Sequence, residues 1–534
     1  MFDTPGVYVR EIPRGARPIV GVSTSNTAFI GVFERGPVNR AIRVTSYGAF
    51  ERIFGGLFAP GEASYAVKHY FMNGGTVAFI VRVTAGTGAA AAGVTLQDAT
   101  SADAVDIEAS SEGIWGNDLV LGIAIATGAT DTFSLLVREF DNGRVAREET
   151  FIDLSTDAHA PLYGETVVNR DSRLITFDQI ADRLPAANAI GGNPALTLDD
   201  LLKAAPANLT ALVNGKDGVV PGEPDWETAA SAALRGAEAD GTGIYALNAI
   251  GPEQFNLLCI PDAVTMDVSN IAHRCNMAAI YQEANTYCRK NLAFLLIDVP
   301  QGLDPANVTG DWLAHLGTAR GPNAAAYFPR LRGPDGLDPL NPRSLPCSGA
   351  VAGLIARIDS TRGVWKAPAG KISRIDGGEP EDVLTASQNG SLNSAGLNCI
   401  RTFPLHGSLI WGARTLDGAD AQASEWRYIP VRRLALFIEA SLRRGLEWVV
   451  VEPNDEPLWG RIRLNVGAFL NQLYRKGAFQ GASARDAYLV KCDSETTTRA
   501  DINLGVVNVL VAFAPVRPAE FVFLRIQQGT QPAA

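Results

Sequence analysis

The chain has no paired-cysteine motif, little histidine and no long hydrophobic run. Its six cysteines, Cys259, Cys275, Cys288, Cys347, Cys399 and Cys492, form no CxxC pair, and most sit in apolar runs such as Leu258-Cys259-Ile260. This usage argues against a disulfide framework and reads as reduced, buried thiols. The five histidines, His69, His159, His273, His315 and His406, include no HExxH and no paired spacing, so a zinc site is not expected. Cys275 and Cys288 fall on one predicted helix, but their separation turns about 220° and puts them on different faces. No apolar run reaches the roughly 18–20 residues of a membrane span. The start, Met1-Phe2-Asp3-Thr4-Pro5, has neither a charged leader nor an apolar stretch. A soluble protein made in the cytoplasm, without direct membrane insertion, is therefore expected.

Signatures of catalysis are also missing. The nearest approach to a phosphate-binding loop, Ala367-Pro368-Ala369-Gly370-Lys371, lacks the upstream glycine and the Ser/Thr partner. No GxGxxG follows a strand and no GxSxG elbow occurs. Ser348-Gly349, close to Pro346, reads as a turn. Carboxylates are abundant but scattered, as on a solvated face. No catalytic, cofactor-binding or metal residue is assigned, and an enzyme is not expected.

What is present is a 534-residue chain, long enough for roughly three or four domains and more than one core. The net charge of −11 is segregated: +4 over residues 1–84, −18 over 85–399 and +3 over 400–534. The acidic middle argues against nucleic acid as a partner, and the basic ends suit an acidic protein surface.

The hydrophobic pattern predicts an α/β, multidomain (α+β) protein. Thr27–Val32, Val77–Val83, Phe255–Pro261 and Leu292–Val299 read as buried strands, with helices from Ser46, over Ala63–Met72 and from Ser269 to about Lys290. Residues 21–85 and 244–400 form an α/β middle domain. Between them, 86–243 is rich in Ala, Gly, Asp and Thr and reads as an inserted β-rich outer domain, with strands at Leu119–Ala126 and Phe133–Phe140 and a hairpin at Asp141-Asn142-Gly143. The Pro/Gly-rich stretch 333–346 reads as an exposed loop. Residues 401–514 carry two amphipathic helices and then strands. On Val431–Arg444, Leu434, Phe437, Ile438 and Ser441 share one face, and Arg432, Arg433, Arg443 and Arg444 are expected opposite. On Leu458–Lys476 the apolar stripe is Trp459, Ile462, Val466, Phe469, Leu470 and Leu473. Val506–Phe513 is apolar on both faces and is expected to lie centrally in a sheet.

The two ends share a feature. Val7-Tyr8-Val9-Arg10-Glu11-Ile12 and Phe521-Val522-Phe523-Leu524-Arg525-Ile526 are good strands, each held off the body by prolines: Pro13 and Pro18 at one end, Pro515 and Pro518 at the other. A lone strand on a proline tether suits an arm, 1–20 and 515–534, that pairs with another sheet.

These residues resemble the tail sheath proteins of contractile phages and of contractile injection systems. The resemblance is carried by Pro5–Ile12, Thr27–Gly31, Gly36-Pro37, Ser46–Phe54, Ser348–Gly353 and Arg362–Ala369. It continues through Trp411–Leu416, Tyr428–Arg433, Glu452–Asn454, Thr496–Thr498 and Pro518–Phe521, and leaves the 86–240 insertion unmatched. It implies a subunit that polymerises as stacked hexameric rings around an inner tube protein and contracts to drive that tube through an envelope. It also implies baseplate and terminal cap partners, synthesis in a bacterial cytoplasm, and a place in a phage tail or phage-tail-like particle. The family's inner domain has two helices and a mixed sheet completed by strands from neighbouring subunits. On this chain the acceptor would be Val507, Val509, Val511 and Phe513. Tube contacts would come from Arg432, Arg433, Arg443 and Arg444 or from Arg461, Arg463, Arg475 and Lys476. Two other readings stay open: a static shell protein, and an enzyme with a pocket at the carboxyl ends of the parallel strands in 244–400.

Overall fold

A computed structural model describes residues 18–141, 143–251, 254–266 and 271–520. Both expected strand arms, Val7–Ile12 and Phe521–Ile526, lie outside the described residues.

The centre is an eight-stranded sheet. Ala78–Arg82, Thr27–Gly31, Leu257–Cys259, Phe294–Ile297, Ala324–Phe328 and Asn398–Phe403 run parallel, and Ala41–Val44 and Gly407–Ile410 close the two edges antiparallel. The parallel strands read as continuous apolar runs because both faces are covered. Ala28 and Ile30 point into one core and Phe29 into the other. Trp226–Arg235 and Ile271–Lys290 cover the first face; Tyr47–Phe54, Ala63–Met72 and Ser348–Arg362 cover the second. Ser46 caps its helix as expected, its hydroxyl accepting from the Ala49 N–H at 3.1 Å.

Three expectations are corrected here. Ser348-Gly349 is the first turn of the helix Ser348–Arg362, not a loop turn. A Cβ on Gly349 would lie 2.0 Å from the Ala66 carbonyl oxygen, so the glycine lets this helix touch the backbone of Ala63–Met72. Within 333–346, Leu331–Pro334 pairs antiparallel with Pro342–Leu345, so the expected loop is a hairpin with an exposed tip. The third concerns the insertion's end. Trp226, Ala230 and Leu234 are buried in the core of the central sheet, so the chain rejoins the middle domain before residue 243.

The insertion itself is a sandwich around a main core, with a smaller cluster of Val120, Leu136, Leu201 and Leu209 behind one of its sheets. Gly93–Gln97, Asp103–Ala109 and Ile175–Gln179 form one antiparallel sheet; Thr210–Ala211, Leu119–Ala124, Thr132–Asp141 and Arg144–Ser155 form the other. Val105, Ile107 and Phe177 meet Leu121, Phe133 and Leu135 between them. Arg82, at the end of a central strand, ties the insertion down: its guanidinium donates to the carbonyls of Phe33 and Gly36 and, at 2.9 Å, to that of Glu112.

At the carboxyl ends of the parallel strands the polar groups are engaged with one another. Asp262 accepts from the N–H groups of Val32 (2.7 Å), Glu62 (2.6 Å) and Ala63 (3.0 Å). Asp298 accepts from the N–H and hydroxyl of Ser348 at 2.7 and 2.5 Å. Burial pushes these carboxyls up, Asp262 to about 7 and Asp298 to about 6, against the pull of their donors. Arg330 pairs with Glu62 at 3.2 Å. These groups lie at the ends of the strands where the enzyme reading expects a pocket.

Candidate functional site

The C-terminal body is built on two helices, Ile429–Gly445 and Glu456–Arg475. Proline stands in the first turn of each, where its missing N–H costs nothing, and Asp455 caps the second by accepting from Leu458 N–H at 3.1 Å. Leu434, Ile438, Leu458, Ile462, Val466, Phe469 and Leu470 make the shared core. The first helix is also buried on a second side, where Ile429 and Leu436 join the core beneath the central sheet. It is therefore enclosed on more than the one face that its periodicity predicts.

That enclosure corrects the expectation for two arginines. Arg433 is buried and pairs at 2.6 Å with Asp359, whose side chain is 2% exposed, and it donates to the Thr24 carbonyl at 2.7 Å. Arg432 is half-buried, 4.8 Å over the Trp426 ring, and donates to Asn323 Oδ1 at 2.8 Å. Neither is on a solvated face. Arg443, Arg444, Arg475 and Lys476 are exposed. Arg461 is also exposed but pairs with Glu452 at 2.9 Å and lies over Trp448; Arg463 pairs with Glu456 at 2.6 Å and donates to the Cys492 carbonyl.

The described chain begins against this body. Ile19 is buried among Val364, Leu434 and Ile438, and the Val22 N–H donates to Ser441 Oγ at 3.2 Å. Residues 18–24 thus run along the first helix before entering the central sheet.

The expected strand Val506–Phe513 is shorter and sits differently. Leu510–Phe513 pairs antiparallel with Tyr488–Lys491, and these two strands form a sheet with no third member among the described residues. Val507, Val509, Val511 and Phe513 are half-buried against the helices, whereas Leu510 is 52% exposed and Leu489 diagonal to it is also 52% exposed. A segment expected to be central is an edge with one face open. A groove lined by Arg289, Leu292, Glu439, Leu442, Arg443 and Val511 runs alongside.

Beyond the strand the chain crosses between bodies. Ala514 and Val516 bond to the backbone of Ala478, Gln480 and Ala487 in the C-terminal body. Four residues later, Glu520 meets Arg414. The guanidinium, 1% exposed, donates from Nε and Nη2 to the two carboxylate oxygens, each at 2.8 Å. Tyr428 donates its hydroxyl to the same carboxylate at 3.2 Å. Burial works to raise Glu520, but the Arg414 bonds and charge outweigh it and hold the carboxyl below its ordinary value. The pairing was not anticipated from sequence, although all three residues stand in the motif stretches Trp411–Leu416, Tyr428–Arg433 and Pro518–Phe521.

Six cysteines are unpaired; five are buried as expected, and Cys275 is exposed. Among the described residues no cluster of His, Cys, Asp and Glu could hold a metal ion, and no helix is long and apolar enough to cross a membrane.

Residues 421–529 match the phage tail sheath C-terminal domain family. No curated protein sequence matches the chain. Among solved structures, the contracted sheath complex of the extracellular contractile injection system PVC is 21% identical, with a TM-score of 0.55 over 99% of this chain and 98% of that one. The contracted helical sheath of the anti-feeding prophage is 23% identical, with a TM-score of 0.56 over 99% and 100%. The sheath tail protein of Desulfitobacterium hafniense is 12% identical, with a TM-score of 0.56 over 96% and 100%. At these identities the likeness establishes the fold. The chain therefore resembles the tail sheath proteins of contractile phages and contractile injection systems along nearly its whole length, and shares their multidomain α/β fold.

Proposed function

We propose that the protein is a structural sheath subunit: copies stack as hexameric rings around an inner tube, and shortening of the resulting sleeve drives the tube through a target envelope. The observation that carries this reading is the unfinished C-terminal sheet. It stands in a chain whose fold, over 99% of its length, is that of proteins solved as contracted sheaths. An edge with an open apolar face is an aggregation hazard in a monomer and a template for strand addition in an assembly. Val7–Ile12 and Phe521–Ile526 of neighbouring copies are the strands we assign to it, with Val507, Val509, Val511 and Phe513 as acceptor. Main-chain bonding of this kind survives rotation of the bodies it links.

The inner tube is the partner assigned to the basic end of the chain. Arg443, Arg444, Arg475 and Lys476 are the exposed candidates, and Arg461 and Arg463 would contact it together with their acidic partners. One structural relative is an anti-feeding prophage baseplate, and a baseplate that starts the sleeve and a cap that ends it are the further partners. The role is mechanical and needs no catalytic residue, cofactor or nucleic acid. Synthesis in the cytoplasm precedes incorporation into a phage tail or tail-like particle. The insertion, which begins near residue 86 and ends before Trp226, is assigned to the outside of the sleeve.

Electron microscopy of the purified, overexpressed protein tests this. Hollow ribbed tubes are expected, and with a tube partner two sleeve lengths. Flat or closed arrays of one fixed geometry would instead favour a static shell protein, and a protein that stays monomeric at all concentrations would sink the sheath reading.

A further inference from the structure

We infer that Arg414 and Tyr428 clamp Glu520 so as to set the point and register from which the C-terminal arm leaves the subunit; this rests on the reading that residues 521–526 act as a strand donor. Glu520 is the residue directly before that arm. Its carboxylate is gripped by both oxygens on Nε and Nη2 of a fully buried guanidinium. A bidentate pair fixes direction as well as distance, which a single contact does not. The third nitrogen of Arg414 is occupied too, Nη1 donating to the Asn393 carbonyl at 2.9 Å and to Asp420 Oδ1 at 3.0 Å. The guanidinium therefore cannot swing with the arm.

Arg414 is itself fixed to the central sheet. Its N–H donates to Asn398 Oδ1 at 2.7 Å, and Asn398 Nδ2 donates back to its carbonyl at 2.7 Å and to the Ala326 carbonyl at 3.1 Å. Asn398 and Ala326 lie in neighbouring strands of that sheet. A Cβ on Gly412 would sit 2.8 Å from Asn398 Oδ1, so glycine there lets the segment close over the asparagine. Upstream, residues 514–516 belong to the C-terminal body through Ala478, Gln480 and Ala487. Arg517, Pro518 and Ala519 form a short bridge between the two bodies. Arg414 thus ties the start of the arm to the central sheet, and Tyr428 ties it to the head of the first C-terminal helix. Register matters because a one-residue slip turns every side chain of a strand to the opposite face.

The test uses the full-length chain. Glu520→Gln keeps the shape and removes the charge, and Arg414→Lys keeps a charge and removes the fork. Both are expected to remain folded monomers and to need about tenfold more protein, or more, before sleeves appear. A single glycine inserted between Arg517 and Pro518, upstream of the clamp, should leave assembly as in the parent; the same insertion between Glu520 and Phe521 should abolish it. Equal behaviour of the two insertions, or Glu520→Gln assembling at parent concentration, overturns the clamp. A second readout needs no assembly: a dye on Val522→Cys, in a Cys275→Ser background, should lose anisotropy in the monomer when Glu520→Gln is added. If the parent protein never forms sleeves, the sheath reading falls and this measurement still decides the clamp, unchanged anisotropy counting against it.

Discussion

The central sheet and the C-terminal sheet are built from equally apolar segments and end in opposite states. Every residue of Thr27–Gly31 and Ala324–Phe328 is buried, each strand has a partner on both sides, and helices cover both faces. Among the described residues Leu510–Phe513 has one partner, and its side chains alternate between half-buried and exposed. The first sheet is complete within one chain. The second is complete on one face only, where the two helices supply a core. Among the described residues, nothing covers the other face of this apolar strand. Sequence pattern alone reads both segments as central because it reports how apolar a strand is and not which molecule buries it.

The contrast predicts where stability and assembly come apart. The largest effect on stability is expected at Asp262, inside the closed sheet. Asp262→Ala would leave the N–H groups of Val32, Glu62 and Ala63 buried without an acceptor. At about 1–3 kcal/mol for each orphaned donor, a loss of about 5 kcal/mol follows, enough to unfold many domains outright. Urea denaturation checks it. A variant that unfolds at the parent midpoint would mean that water or a shifted backbone replaces the carboxylate, and that this end of the sheet is more open than the geometry implies.

Much of the fold was legible before the structure. The helix expected over Ala63–Met72 spans those residues, and the central strands fall within their expected runs. Periodicity works there because one chain supplies both the strand and its cover. It works less well where partners are distant in sequence. Nothing near Arg433 announces Asp359, 74 positions away, so an arginine that completes a buried pair looked like part of a basic face. Glu520 is 106 positions from Arg414, and no local spacing links them. Trp226–Arg235 was grouped with the insertion because the Ala- and Gly-rich composition around it continues to residue 243, while its packing belongs to the central core. At the candidate site, the apolar stretch Val506–Phe513 was legible from sequence, and the ion pairs of Arg414 and Arg433 were not.

An intermediate effect is expected at the junction between the two bodies. Arg433 pairs with Asp359, and both side chains are nearly inaccessible, at 4% and 2% exposure. Arg433→Ala leaves a buried carboxylate without its partner, a change that costs about 3–4 kcal/mol. It also frees the Thr24 carbonyl and so loosens residues 18–24 from the first C-terminal helix. Arg433→Ala with Asp359→Ala should recover much of the loss, because no charge is then stranded. Thermal melts of the single and double variants check this. A double variant as unstable as the sum of the two singles would show that the pair is not the link between the bodies.

The smallest effect on stability, and the one that most sharpens the comparison, is expected at Leu510. Its side chain lies on the open face of the C-terminal sheet, 52% exposed, opposite Lys491 and diagonal to the exposed Leu489. Leu510→Lys removes no packing against Leu470 or Phe469, which lie on the covered side with Val511 and Phe513. A surface change of this kind stays within about 0.5 kcal/mol. A lysine on an edge strand is, however, a device by which natural sheets refuse further strands. The melting temperature should therefore match the parent while sleeves fail to form in sedimentation and electron microscopy. Normal sleeves would remove this face from the interface. A lowered melting temperature would place Leu510 in the core of the subunit and close the gap between the two sheets, because the second would then be complete within one chain after all.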